Sequence, residues 1–198
     1  MNYEEREKEF REQWFNNHKY ILKQNGNIQI LEWIEPKRIG RNYRYVLDEN
    51  QVYINGYFGR ATYVSVLNVK LNHFSDMTIH EFADKLILHN FEKIEFNCKQ
   101  AFDKLKKWIN RLNDQRITFD TRLMGKLFDY ADMNYSKEEW INSVNTCSVW
   151  LNKLDDNWSW LYHIGDDYSD AVYAYFIGLK MANEQLRRSE NEEGTEKS

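Results

Sequence analysis

The hydrophobic pattern of this chain changes period once, near Leu71, and that switch limits the fold more than any other feature. Before it, from Tyr20 to Leu71, β-branched and aromatic residues fall in short runs: Ile28, Ile30, Tyr43, Tyr45, Leu47, Val52, Ile54, Tyr63 and Val66. Runs of this kind, separated by turn residues, predict three or four strands. Asn25-Gly26-Asn27 and Asp48-Glu49-Asn50 suit tight hairpins, because Gly and Asn tolerate positive φ and Asp bonds its own backbone. Links this short imply an antiparallel meander.

Beyond Leu71 the spacing becomes helical. Thr78-Ile79-His80-Glu81 has the form of a capping box, followed by Phe82, Ala83, Leu86 and Ile87 on one predicted helix face. Ala101, Phe102, Leu105, Trp108, Ile109 and Leu112 form an amphipathic stripe, opposite Lys99, Lys104, Lys106, Lys107 and Arg111. Leu123 to Ala131 marks another helix, and Ser136-Lys137-Glu138-Glu139 is a second capping box. From Trp140 to Leu161 apolar residues recur every three or four positions, predicting one long core helix if Asp155-Asp156-Asn157 does not break it. A last helix starts near Asp167, apolar almost all round from Ala171 to Leu179. A polar tail is expected from Ser189. Ahead of everything, Tyr3, Phe10 and Trp14 give a charged N-terminal helix a narrow apolar stripe, which suits a surface position.

Strands grouped first and helices after indicate an α+β class rather than alternating parallel α/β. The expectation is a single domain over 1–188, its sheet within 20–71 and its helices within 78–188, with a loose tail over 189–198. Trp108, Leu105, Phe102, Trp140, Leu151, Val172 and Leu179 are expected in the core. A length of 198 residues is enough for one ordinary core, and with one Pro and eight Gly no low-complexity or collagen-like reading survives.

Catalytic motifs are not evident. Cys98 and Cys147 make no close pair, so neither a disulfide framework nor a zinc knuckle is expected. His18, His73, His80, His89 and His163 show no metal-ligand spacing. There is no nucleophile elbow, phosphate loop or dinucleotide turn. We therefore expect no enzyme, no catalytic residue, no metal and no cofactor. Met1 to Glu12 has no apolar segment of a secretory signal, and no run approaches a membrane span, so a cytoplasmic protein without a membrane partner is expected.

Two patches invite a binding role. Lys37, Arg38, Arg41, Arg44 and Arg60 outnumber Glu35, Asp48 and Glu49 in a segment that also carries Tyr43, Tyr45, Tyr57 and Phe58. Cations for phosphates and rings for bases are what a single-strand binder uses. A solvated hairpin end would look similar, and Gly56-Tyr57-Phe58-Gly59 reads either as a plain turn or as a loop presenting two rings. The net charge of −4 argues against a general nucleic-acid binder. The second patch holds five aspartates, Asp155, Asp156, Asp166, Asp167 and Asp170, with no Lys or Arg between them. Asp166 and Asp167 suit a helix N-terminus. The same stretch contains Trp158 and Trp160, and in a continuous helix Trp160 would point away from the core stripe, as an interface anchor rimmed by acids. The blander reading packs Trp160 beneath the N-terminal helix or the sheet.

The segments Arg44-Tyr-Val-Leu-Asp-Glu-Asn-Gln-Val-Tyr-Ile-Asn-Gly-Tyr-Phe-Gly-Arg-Ala-Thr-Tyr63 and Tyr175-Phe-Ile-Gly-Leu-Lys-Met-Ala-Asn-Glu-Gln-Leu186 resemble small uncharacterised proteins of bacteriophages and prophages of Gram-positive bacteria. The resemblance implies a context in which such proteins inhibit host defences, anti-CRISPR proteins among them. The resulting expectation is a non-enzymatic inhibitor that binds a host defence protein, a nucleic-acid-handling effector being the favoured kind, through Asp155, Asp156, Trp158, Trp160, Asp166 and Asp167. Direct nucleic-acid binding through Lys37, Arg38, Arg41, Arg44, Tyr57, Phe58 and Arg60 is the alternative. A Mg-dependent nuclease or nucleotide hydrolase using Asp155, Asp156, Asp166 and Asp167 comes third. Homodimerisation is left open.

Overall fold

In the computed structural model residues 3–37, 40–133 and 136–195 are described, with side chains to residue 192. The elements run α1 (Tyr3–Glu9), a π-helical turn (Phe10–Trp14), β1 (Lys19–Asn25), β2 (Ile28–Ile34), β3 (Tyr43–Asp48), β4 (Gln51–Gly56), β5 (Gly59–Val64), a 3-10 turn (Leu71–Phe74), α2 (Ile79–Asp84), β6 (Leu86–His89), β7 (Ile94–Phe96) and α3 (Cys98–Asp114). They continue with α4 (Thr121–Asp132), α5 (Lys137–Thr146), α6 (Ser148–Leu154), a 3-10 turn (Trp158–His163), β8 (Asp166–Tyr168) and α7 (Asp170–Thr195). The class is α+β. Among the described residues no helix is long and apolar enough to cross a membrane.

Two compact units emerge, a finer division than the single 1–188 domain expected: Ile94–Tyr168 forms one, and the chain up to Lys93 together with that from Ser169 forms the other. The second unit carries a six-stranded antiparallel sheet in the order β1-β2-β3-β4-β5-β6. Both hairpins fall where the turn residues lie, with Gly26 at φ 58° and Glu49 at φ 50°. Alternation then sets the two faces of the sheet. Leu31, Trp33, Tyr43, Tyr45, Leu47, Val52, Ile54, Ala61 and Tyr63 are buried on one face, whereas Arg44, Tyr53, Asn55 and Arg60 are exposed on the other.

The buried face is covered by α7, whose residues Ala171–Leu179 are all buried, as their nearly continuous apolar run demands. Gly178 permits the close approach: a Cβ there would meet the Tyr45 hydroxyl and the Trp33 ring. Tyr45 Oη donates to the Tyr175 carbonyl at 3.3 Å. The N-terminal segment is tied to α7 by Arg6 with Asp170 and by Arg11, whose guanidinium reaches both Glu184 carboxylate oxygens at 2.7 and 2.8 Å. That fork holds the Glu184 carboxyl below its usual pKa. Phe10 is fully buried, so the segment is less superficial than its narrow stripe implied.

The helical unit has its own core of Ala101, Leu105, Trp108, Leu112, Met124, Leu127, Trp140, Val144, Leu151 and Leu161. Trp140 donates its indole N–H to the Leu161 carbonyl at 2.8 Å and stacks on Phe96. Of the seven expected core residues only Phe102 is half-buried, set edge-on to Phe128. Both capping boxes form, Thr78 with Glu81 and Ser136 with Glu139.

Several expectations are corrected. The helix opened by Thr78 stops at Asp84, and Leu86–His89 becomes the sixth strand beside β5, so the sheet extends beyond residue 71. Five strands, not three or four, precede Leu71, and Val66 lies outside them at 91% exposure. The long helix from Trp140 to Leu161 is broken twice, at Cys147 and at Asp155, whose backbone is extended. Asp166 and Asp167 lie in β8, antiparallel to β7, instead of capping a helix. Helix α7 continues through Thr195, past Ser189 where a loose tail was expected.

Two glycines test the packing in opposite directions. A Cβ on Gly56 would fall inside the Tyr43 ring, whereas one on Gly125, in the interior of α4, would meet nothing within 4 Å. Gly56→Ala is expected to lower unfolding free energy by about 1–3 kcal/mol through overpacking. Gly125→Ala should raise it by about 0.5–1 kcal/mol through helix propensity. Urea unfolding of both variants checks the pair, and equal effects would contradict the assignment.

Candidate functional site

The outer face of the sheet gathers the basic hairpin residues through strand register. Glu32 pairs with Arg44, Arg44 with Asn55, and Asn55 with Arg60, so these four side chains form one row across β2, β3, β4 and β5. At the strand spacing of about 4.8 Å, Arg44 and Arg60 stand roughly 10 Å apart with Asn55 between them. The row opens into a cavity of about 530 Å³ lined by Glu32, Ile34, Gly40, Asn42, Tyr43, Arg44, Asn55, Gly56 and Tyr57. Glu32 is partly engaged by Lys23 at 3.8 Å.

An aromatic cluster borders this surface. The β4–β5 turn is closed by Gly56 opposite Gly59, the latter at φ 123°, so the turn reading of Gly56-Tyr57-Phe58-Gly59 holds. Of the two rings that the other reading would present, only Tyr57 is exposed. Tyr57 is 57% exposed, and Phe58 packs on Trp14 with ring centroids 5.4 Å apart. The Arg41 guanidinium stacks over the other ring system, 4.3 Å from the Trp14 centroid. Tyr43 and Tyr45, by contrast, are almost wholly buried towards the core, although Tyr43 contributes to the cavity lining.

The Arg41 backbone is held from behind. Buried His18 donates from Nε2 to the Arg41 carbonyl at 2.7 Å, while its Nδ1 is buried with no partner. Burial lowers the His18 pKa, because a proton on Nδ1 would place a charge where nothing accepts it. His73 is lowered too, by desolvation and then by Lys85.

Of the seven candidate residues, Arg44 and Tyr57 meet in the cavity. Arg60 lies at the end of the row, its backbone N–H donating to Asn90 Oδ1 at 2.7 Å. Arg41 and Phe58 meet on Trp14. Lys37 is exposed in the β2–β3 connection and does not line the cavity, and Arg38 lies outside the described residues. Trp14, Glu32, Asn42 and Asn55 were missed: Asn42 and Asn55 lie near Arg44 in sequence but carry neither charge nor ring to mark them, and Trp14 and Glu32 are distant from it. Register and tertiary packing bring them in.

The acidic patch is dispersed and partly neutralised. Asp166 accepts from Lys137 at 2.7 Å and from His163 at 2.9 Å. Asp167 accepts from Asn97 at 2.9 Å. Asp155 forms a turn by accepting from the Asn157 N–H and also receives the Trp160 indole N–H at 3.4 Å. Asp156 is exposed, and Asp170 belongs to the other unit. Trp158 packs edge-on to Tyr162. Trp160 packs edge-on to Trp108 at 5.4 Å, which replaces both the outward anchor and the packing beneath sheet or N-terminal helix. Among the described residues no three His, Cys, Asp or Glu side chains are placed to hold a metal ion.

No family model, curated protein or solved structure matches the chain.

The native state resists the protons that unfolded His18 and His73 accept. Their stabilisation is therefore complete above about pH 6.5 and is lost as pH falls below that value. The urea midpoint is expected to drop between pH 7.5 and pH 5.5, less in His18→Gln, and least in His18→Gln/His73→Gln. A drop identical in all three proteins would contradict the assignment.

Proposed function

We propose that this chain binds single-stranded nucleic acid on the outer face of its sheet, as an accessory protein acting in the cytoplasm of a bacterial host. The observation that carries the reading is the row Glu32, Arg44, Asn55 and Arg60 beside exposed Tyr57. Arginines two strands apart engage successive phosphates, Tyr57 offers a face for base stacking, and Glu32, Asn42 and Asn55 supply acceptors and donors for base edges. A sheet face with one prominent ring and few cations favours splayed single strands over a duplex. The bacterial and phage setting rests on the resemblance of the Arg44–Tyr63 and Tyr175–Leu186 segments alone.

Inhibition of a host defence protein ranks below this reading. It drew on an unpaired acidic run, and Asp166 is salt-bridged while Trp160 is engaged by Trp108 and Asp155. Only Asp155 and Asp156 continue to suit it.

Fluorescence anisotropy with labelled single-stranded RNA and DNA and a matching duplex tests the proposal. Single strands are expected to bind more tightly than the duplex. With two or three phosphate contacts, log K should fall with log salt at a slope of about −1.4 to −2.1. Arg44→Glu/Arg60→Glu should flatten that slope and weaken binding by about tenfold or more. Tyr57→Ala should cost about 1–3 kcal/mol with the slope unchanged. Binding indifferent to these changes, or capture of a host protein that survives nuclease and depends on Asp155 and Asp156, would overturn the proposal.

A further inference from the structure

The helical unit contains a second concave surface that the sheet site does not explain. Helix α3 repeats a cation every three or four residues on one flank: Lys104, Lys107 and Arg111 fall within about 60° of one another around the helix axis. Trp108 borders that sector, about 40° round the axis from Lys104, and is 5% exposed. The turn Trp158–His163 brings Trp160 against Trp108, the two rings nearly perpendicular at 88°. Together Lys104, Lys107, Trp108, Arg111 and Trp160 line a cavity of about 300 Å³. That volume is at the lower end of the range for small-molecule sites.

The charges are arranged for an anion. Neither Lys107 nor Arg111 forms an ion pair among the described residues, although each lies one helical turn from another cation. Three like charges so close repel, and an incoming phosphate would relieve that repulsion. Lys104 is partly compensated: desolvation lowers its pKa, Asp166 and Asp167 act against that shift, and Lys107 adds to it. The anionic group therefore belongs on Lys107 and Arg111. Trp160 is half-buried and already positioned, its indole N–H directed to Asp155 and its ring set against Trp108. A ring that is fixed before binding stacks a planar partner at little entropic cost.

We propose that this cavity is a site for a free nucleotide, with the phosphates on Lys107 and Arg111 and the base against Trp160. Cations alone would accept any polyanion, and indoles alone any flat apolar group. Their juxtaposition selects a ligand that carries both. The proposal is independent of the sheet site and uses none of its residues.

Titration calorimetry on the full chain, with ADP, adenosine and inorganic tripolyphosphate as separate probes, tests it. ADP is expected to bind more tightly than either of the other two. Lys107→Ala/Arg111→Ala, both at solvent-exposed positions, should weaken ADP by about tenfold or more without lowering the thermal midpoint, since the substitution relieves the repulsion. Trp160→Phe should retain part of the affinity and reduce the ligand-induced change in tryptophan fluorescence, Trp108 in the same cavity accounting for the remainder. Arg44→Glu/Arg60→Glu should bind ADP normally, which separates this site from the proposed function. Tripolyphosphate binding as tightly as ADP would overturn the proposal, as would ADP affinity indifferent to Lys107 and Arg111. No heat with ADP at millimolar concentration, or Lys107- and Arg111-dependent binding confined to an oligonucleotide, would also overturn it.

Discussion

The close approach of α7 to the inner face of the sheet is the contact on which the sheet unit depends. Trp33, Tyr43 and Tyr45 are large and carry polar atoms, and burying them requires a helix that comes near enough to exclude water. Gly178 supplies the space, and the Tyr175 carbonyl accepts the Tyr45 hydroxyl. With the inward positions committed to a core shared by α7, Phe15, Phe74 and Phe82, alternation leaves Glu32, Arg44, Asn55 and Arg60 on the other side. The candidate binding row is thus a consequence of how the core is packed. A one-residue slip in β3 would exchange Arg44 with Tyr45 and destroy core and site together.

What was legible in the sequence was whatever local chemistry decides. The capping boxes at Thr78 and Ser136 form because their partners lie three residues away, and the turns at Gly26 and Glu49 form because φ is set within the turn. The misses share a different cause. Leu86, Ile87 and Leu88 continue an apolar run that a helix or a strand could use, and only pairing with Thr62 and Tyr63 decides for a strand. Asp166 and Asp167 have poor strand propensity, yet Ile94–Phe96 pairs with them, some seventy residues away in sequence. Gly165 just before them allows the Phe96 ring to occupy the place of a Cβ. The break at Cys147 keeps the helical apolar spacing on both sides, so periodicity alone could not reveal it.

The same distinction governs the charges. A run of aspartates along the chain is a weaker patch of negative potential when Lys137 pairs with Asp166, to which His163 also hydrogen-bonds, and Asn97 binds Asp167. Conversely, the cations of α3 read as an ordinary solvated flank until Trp160 arrives from another element to close a cavity over them. Arg44 and Tyr57 could be singled out from sequence because they are close in it. Trp14 could not, since its place beneath Arg41 depends on the N-terminal segment being fastened to α7 by Arg6 and Arg11.

The net charge of −4 then sets the kind of nucleic-acid binding that the sheet face can support. A protein that neutralises many phosphates gains affinity mainly by releasing counterions, and its surface must be strongly basic. Here Glu32 stands in the row itself, and an extended polyanion laid across the face would meet it. On the proposed reading, two or three phosphate contacts would provide modest attraction, and most of the affinity would have to come from stacking on Tyr57, at about 1–3 kcal/mol per base. Under the same proposal Glu32 would repel a phosphate but could accept from an exocyclic amine, and so would discriminate between backbone and base edge. A splayed single strand would bring such an amine directly onto the sheet face, whereas a duplex would present it only at the floor of a groove.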